Sequence, residues 1–364
     1  MQSATSCATC NFVACCCQIG RTRMAKRARI RDIAEHLGIS TATVSRAISG
    51  KGYVREELGE KIRAAAIELN YGLPEDFAGK RVLLVVSHEA MIDFERSQFT
   101  MYVLEGLRRR ASERGLVIDN HAIRSADELD GLAELARASD LLGILFLTVD
   151  DSILKPARSL ECPVVLVNTD DPEMRLSSVT PCNRSAAAMA ARHLTDLGHE
   201  RIAFLTKPGR RTIQRRLEGV RDALGSRQDT MIVIEAEDWT VQAAQAAVAE
   251  ALADDRQFTG IVAAGDILAA GALIALHAAG LRVPEDVSVI GIDGLPQGAY
   301  LAPALTTVSI PMQAIGAYSL DMLCNTAQLQ GTSRNFPVSR IELACSLTKR
   351  NSTGLRASRV VEPV

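Results

Sequence analysis

The chain has 364 residues, 47% of them hydrophobic and 23% charged. That is enough apolar material for two or three domains with cores of their own, which excludes a disordered chain and a disulfide-stapled miniature. No apolar run approaches the roughly 18 residues a membrane span requires, so no membrane partner is expected and a cytoplasmic location is. The formal net charge of -2 hides an asymmetry: residues 21–72 hold eleven Lys/Arg against six Asp/Glu, and the remainder carries -7. A small basic module on an acidic body is either a solvated basic face or a polyanion-binding head, because phosphate neutralisation with counterion release supplies the sequence-independent part of DNA affinity.

Residues 1–20 contain no Lys, Arg, Asp or Glu and carry five of the nine cysteines, Cys7, Cys10, Cys15, Cys16 and Cys17. The charges follow the apolar run instead of preceding it, the wrong order for a secretory signal. Cys7 and Cys10 lack a second ligand pair at zinc-finger spacing, and the odd total argues against a disulfide framework, so neither a metal nor a cofactor is expected. Met24 is followed by Ala-Lys-Arg-Ala-Arg-Ile, a natural start, and residues 1–23 are read as a non-native or disordered extension.

Residues 30–37 place Ile30, Ile33, Ala34 and Leu37 on one face of a short amphipathic helix. Gly38 is its stop, and Ser40 is a good N-cap for a second helix over residues 41–49. In that helix Val44 and Ile48 repeat at i, i+4 and can pack on Ile33 and Leu37, leaving Thr41, Ala42, Ser45 and Arg46 on the outer face. A third helix over residues 56–69 has Leu58, Ile62, Ala65, Ala66 and Leu69 in register to close a three-helix core. Helix, glycine-centred turn, helix is the helix-turn-helix arrangement; a purely structural bundle with solvated outer residues is the competing reading.

From Lys80 onward, strand-like runs alternate with helices, the first helices expected over residues 99–114 and 186–197. RVLLVV, LLGILFL, PVVLVN, RIAFL, GIVAA and VSVIGI are continuously apolar, as parallel strands covered on both faces require. The expected fold is α/β: an all-α three-helix head over residues 24–72, a link over 73–80, and a two-lobed, doubly wound body like that of periplasmic binding proteins over 81–350. Residues 351–364 are read as a flexible tail without a heptad pattern. Such sheets bind ligands beyond the carboxyl ends of their strands, and the lobe interface is the expected pocket.

The stretch IRDIAEHLGISTATVSRAISGKGYVREELGEKIRAAAIELNY closely resembles the DNA-binding domain of the lactose-repressor (LacI/GalR) family. HLTDLGHERIAFLTKP and RVPEDVSVIGIDGLPQGAYLAPALTTVSIP resemble the same family's effector-domain signatures, so the similarity runs from residue 26 to 350. The resemblance implies a sequence-specific transcriptional repressor on double-stranded operator DNA, a homodimer with a tetramer left open, controlled by a small-molecule effector such as a sugar or related metabolite. It puts Thr41, Ala42 and Arg46 on base-reading positions, where Arg46 suits a two-bond contact to guanine, and Thr43 and Ser45 on phosphate-contacting ones. Ser40 joins this DNA-binding set. In the family the link becomes helical on operator DNA and wedges a leucine into the minor groove. Here Leu73–Lys80 is a few residues shorter, brings Glu75 and Asp76 towards phosphates, and has Phe77 at the wedge position, with packing against the body as the alternative.

In the body the resemblance assigns Arg216, Asp293 and Trp239 to the effector pocket: a planar donor fork, an acceptor for hydroxyl hydrogens, and an apolar ring face. Together they suit a polyhydroxylated or carboxylate ligand; an ion pair or strand-end cap for the first two, and core packing for Trp239, are the alternatives. Cys182-Asn183 stands where Asp-Asn is common, Ala264-Gly265-Asp266 where Ala-Asn-Asp is common, and Ile310 replaces a pocket glutamine. Asn183 and Gly265 are counted among the effector-binding residues, in a pocket less polar than usual. No P-loop, His-Glu-x-x-His, Gly-x-Ser-x-Gly or dinucleotide glycine pattern occurs, so no catalysis is expected. A periplasmic-type solute receptor without DNA function is the rival reading, but it should carry a signal peptide and no basic head.

Overall fold

The computed structural model describes residues 29–49, 54–69, 77, 79–124, 126–129, 131–254, 257–329 and 337–356. The extension 1–23, and Glu75 and Asp76 of the link, lie outside the described residues. By its internal contacts the chain divides into two compact units, Met1–Asp76 and Phe77–Val364.

The first unit holds α1 (Ile30–Leu37), α2 (Thr41–Ser49) and α3 (Glu56–Glu68). Ile33, Ala34, Val44, Ile62, Ala65 and Ala66 form its buried core, flanked by Ile30, Leu37, Leu58 and Leu69. This is the apolar register that the helical spacing predicts; the Ile48 side chain lies outside the described residues. The turn between α1 and α2 depends on Gly38, whose φ of 63° falls in the left-handed region that side chains disfavour. The backbone N–H of Ile39 then closes the helix end by donating to Ala34 O at 3.0 Å.

In the second unit, residues 81–181 supply β1 (Arg81–Ser87), α4 (His88–Ile92), α5 (Phe94–Arg114), β2 (Val117–Ile123), α6 (Leu132–Leu135), β3 (Leu141–Leu147), α7 (Leu154–Ala157), β4 (Val164–Val167) and β5 (Ser177–Pro181). After Cys182 come α8 (Asn183–Asp196), β6 (Ile202–Thr206), α9 (Arg211–Leu224), β7 (Ile232–Glu235), α10 (Val241–Ala253), β8 (Gly260–Ala263), α11 (Asp266–Ala278), β9 (Ser288–Asp293) and β10 (Thr306–Ser309). The chain closes with α12 (Met312–Leu329), β11 (Arg340–Leu343) and β12 (Ser346–Thr348).

These strands make two six-stranded sheets, ordered β11-β5-β4-β3-β1-β2 and β12-β10-β9-β8-β6-β7, parallel throughout except for β12 against β10. Because α12 packs on α5, β3, β4 and β5, the chain passes between lobes three times among the described residues, after β5, β10 and β11. Both faces of the first sheet are covered: Val82, Leu84 and Val86 point into one apolar cluster, and Leu83 and Val85 into another. That two-sided burial is why the strands read as continuous apolar runs. No helix among the described residues is long and apolar enough to cross a membrane.

Three expectations need correction. The helix expected from residue 99 begins at Phe94. Phe77 is not displayed as a wedge: it is 7% exposed and belongs to the core cluster that includes Val82, Leu104 and Leu116. Its carbonyl accepts from Lys80 N–H in the turn leading into β1, and burying an aromatic ring there is favoured by its large apolar surface. The tail expected to be flexible from residue 351 is ordered at its start, because Ser352 is fully buried and bridges β9 and β10: its Oγ donates to Val289 O at 2.6 Å and accepts from Thr306 N–H at 2.8 Å; residues 357–364 lie outside the described residues.

Candidate functional site

Two surfaces concentrate the predicted site residues, one on each unit. On α2, Ser40 caps the first turn: the Thr43 N–H donates to Ser40 Oγ at 3.1 Å, and the two hydroxyls lie 2.8 Å apart. A cap of this kind satisfies an otherwise orphaned amide and fixes where the helix starts. Ser40, Thr41, Ala42, Ser45 and Arg46 are exposed and Thr43 is half-buried. Arg46 Nε donates to Ala42 O at 3.2 Å, one turn back, so its guanidinium rises from the same outward face as Ala42. This face offers hydroxyls and one planar guanidinium cation, the groups that reach phosphates and base edges.

The second surface is a cavity of about 600 Å³ between the two lobes of the body. Its walls come from residues at the carboxyl ends of strands: Ser87 closing β1, Thr148 after β3, Asn168 after β4, Lys207 after β6, and Asp293 closing β9. Thr148 and Asn168 have positive φ values of 53° and 55°, and Asp293 has 140°. Non-glycine residues in these conformations cost free energy and concentrate where a fold must aim a side chain at a site.

Arg216, Trp239 and Asp293 line this cavity. Arg216 extends from α9 and is 4% exposed. Its Nε donates to Asn183 Oδ1 at 2.9 Å, and its Nη1 donates to Asp293 Oδ1 at 3.3 Å and to Ala264 O. Burial pushes the Asp293 carboxyl above its ordinary value, opposed by the Arg216 cation. Behind it, Asp266 begins α11 and accepts from Leu295 N–H at 2.7 Å and Thr307 Oγ1 at 2.6 Å. Desolvation, then repulsion from Asp293, lifts Asp266 to about 7. Arg216 is therefore held by three acceptors and presented to the cavity as a fixed donor, with Asp293 as its companion acceptor.

Asn183 and Gly265 are placed differently. Neither is among the lining residues: Asn183, 2% exposed, holds Arg216 from behind. Gly265 makes room, since a Cβ there would overlap Trp239 Cζ2 and lie 3.1 Å from Asp293 Oδ2. The absent side chain is thus filled by the Trp239 ring, over which Arg210 stands 5.8 Å from the centroid. Residues not singled out from sequence also line the cavity, among them Thr100, Thr148 and Asn168. Asn168 donates from Nδ2 to Thr148 Oγ1 at 3.3 Å, while its buried Oδ1 and Thr100 Oγ1 have no partner among the described residues. Asn168 Oδ1 calls for a hydrogen-bond donor, and the Thr100 hydroxyl for a donor or an acceptor, from a ligand or water. The signal for Thr148 and Asn168 was present, because the first directly follows an apolar run and the second ends one.

The chain matches the family model "Bacterial regulatory proteins, lacI family" over residues 29–72 and the model "Periplasmic binding protein-like domain" over residues 191–353. It is 30% identical over 347 residues to the HTH-type transcriptional regulator MalR of Streptomyces coelicolor, spanning 89% of this chain and 96% of the relative. Identity to the ribose operon repressor of Halalkalibacterium halodurans is 29% over 337 residues, spanning 89% and 96%. Among solved structures, the complex of the transcriptional regulator CelR with cellobiose is 26% identical and superposes with a TM-score of 0.66 over 90% of this chain and 100% of that one.

Proposed function

This chain belongs to the lacI family of bacterial regulatory proteins, and we propose from that premise that it is a homodimeric transcriptional repressor, acting in the cytoplasm, whose hold on operator DNA is set by a sugar-type metabolite bound between the body lobes. The dimer brings two α2 helices to successive major grooves of a pseudo-palindromic site, with Thr41, Ala42 and Arg46 reading bases and Ser40, Thr43 and Ser45 meeting the backbone. Arg216 and Asp293 engage ligand hydroxyl or carboxylate groups, and the Trp239 ring covers an apolar ligand face. Asn183 and Gly265 support these contacts from behind. Effector and operator affinities are linked reciprocally, so a metabolite that loosens the DNA complex binds that complex more weakly. The body acts as a sensor and not as a catalyst.

The observation that carries this reading is the fixed Arg216–Asp293 donor and acceptor pair in a cavity walled by both lobes, in a chain that also displays the outer face of α2. Trp239 is the chain's single tryptophan, so its emission reports directly on the cavity. Titration with ribose and cellobiose, the sugars named for two relatives, and then with a wider panel of sugars, sugar acids and nucleobases, should give a saturable change for at least one compound. The same compound should raise the melting temperature, because it binds the native state alone. A panel that leaves both signals flat would remove the sensing function.

A further inference from the structure

The two lobes are joined by polar ties that neither the DNA face nor the ligand contacts use. Arg211 and Arg215 stand one turn apart on α9 of the second lobe, and both reach the first: Arg211 Nη2 donates to Asp151 Oδ2 at 3.0 Å, and Arg215 Nη2 to Asp170 Oδ2 at 2.7 Å. Two further ties cross elsewhere. Glu95 of α5 accepts from the Val241 N–H, at the start of α10, at 2.8 Å, and Gln297 Nε2 donates to Gln98 Oε1 at 2.5 Å. None of Arg211, Arg215 and Glu95 lines the cavity, yet Arg215 is the direct chain neighbour of Arg216.

The partners are arranged so that each tie can be undone. Asp170 is 2% exposed, and a buried carboxylate stripped of its cation would be strongly disfavoured. It also accepts from Arg340, the first residue of β11 in its own lobe. Arg215 can therefore leave while Asp170 stays paired. The Asp151 side chain is 52% exposed, so water replaces Arg211. Val241 N–H lies in the first turn of a helix whose Ala243 amide is already capped by Thr240 Oγ1, and Glu95 adds a negative charge at the end of α10 that favours it.

We propose that Arg211, Arg215 and Glu95 form a releasable electrostatic latch that holds the lobes together, with Arg340 as the resident counter-ion that keeps Asp170 paired when they part. These are positioning residues: they set how readily the cavity opens and do not touch the ligand. The latch rests on the sensing reading in one respect, that lobe movement controls the cavity. Its test uses neither effector nor operator, so the two stand or fall separately.

The Arg211–Asp151 pair, with side chains 26% and 52% exposed, is weak and screened by salt, whereas Arg215–Asp170 is more buried and screened less, so together they give a balance that one ligand can tip. Hydrogen exchange measured by mass spectrometry on the full chain reads it out at Val241, whose amide is tied to the opposite lobe. In R211Q/R215Q, peptides covering the start of α10 should exchange roughly tenfold faster, while β8 and β9 keep their protection. Raising NaCl from about 0.05 M to about 1 M should speed the same peptides in the unaltered chain. R211D alone should open the lobes, and R211D with D151R should restore slow exchange. Faster exchange confined to α9, or no change at the start of α10 in both the variant and high salt, would overturn the latch. If R211Q/R215Q loses protection in β8 and β9, the salt series and the near-isosteric E95Q decide the question on a folded chain.

Discussion

Replacing Arg216 with methionine keeps most of the side-chain volume and removes a buried charge together with its donors. Three acceptors lose their partner: Asn183 Oδ1 at 2.9 Å, Asp293 Oδ1 at 3.3 Å, and Ala264 O. Removing one member of a buried pair typically costs about 3–5 kcal/mol, because the other charge is left uncompensated. Asp293 is 7% exposed and already held above its ordinary value by burial, so in the variant it escapes part of that cost by taking up a proton. A carboxyl whose folded-state pKa is raised adds stability that is complete below its unfolded value and lost as pH rises through the folded one. The deficit of R216M relative to the parent should therefore grow with pH. Urea unfolding of both proteins should show a loss of about 3–5 kcal/mol near pH 8, smaller by about 1 kcal/mol or more near pH 5. A deficit independent of pH, or none at all, would refute the reasoning that Arg216 neutralises a buried Asp293.

Phe77→Ala should lower body stability by about 3–5 kcal/mol, read by urea unfolding, as a truncated core aromatic does. If it instead weakens DNA binding at unchanged stability, the ring acts on DNA and not in the core. Gly265→Ala inserts a Cβ where Trp239 now lies, so the single tryptophan's emission should shift and effector affinity should fall roughly tenfold, in line with the cost of overpacking; an unchanged spectrum would contradict the close approach. Asp266→Asn removes a carboxyl lifted to about 7. In the parent that group favours folding at acid pH and its contribution fades as pH rises from the ordinary carboxylate range towards 7. The variant should therefore lack a component on the order of 2–4 kcal/mol of the parent's pH dependence, and identical slopes of stability against pH would argue against it.

The head was legible because its signals are local. Gly38, Ser40 and the helical spacing of Ile33, Val44 and Ile62 each act within a turn or two, and together they leave one arrangement. The strands buried on both faces, such as Leu141–Leu147, were legible for the same reason. β2 was not: Val117–Ile123 is an edge strand carrying Asp119, Asn120 and His121, with the half-exposed alternation that polar loops share. β11 and β12 were missed because their partners, β5 and β10, lie far away in sequence. Ser352 illustrates the same limit, since a lone serine near the end of a chain gives no local sign that it joins two strands. In the cavity, the charged and aromatic residues stood out, whereas Asn183 and Gly265 have roles defined by their neighbours: one holds a guanidinium and the other leaves room for a ring. Asp170 and Asp171, both buried, were not singled out from the sequence, because only the fold brings Arg158, Arg215 and Arg340 to them.

The central claim is that the outer face of α2 reads base sequence. Repeated selection of the full chain on random duplex DNA, at about 0.15 M salt, measures that directly. The expected result is enrichment of a pseudo-palindrome bound at least 10³-fold more tightly than scrambled DNA, with R46A losing about 1–3 kcal/mol of discrimination at one base position in each half-site. Recovery of no preferred sequence, with or without metabolites present, would contradict it.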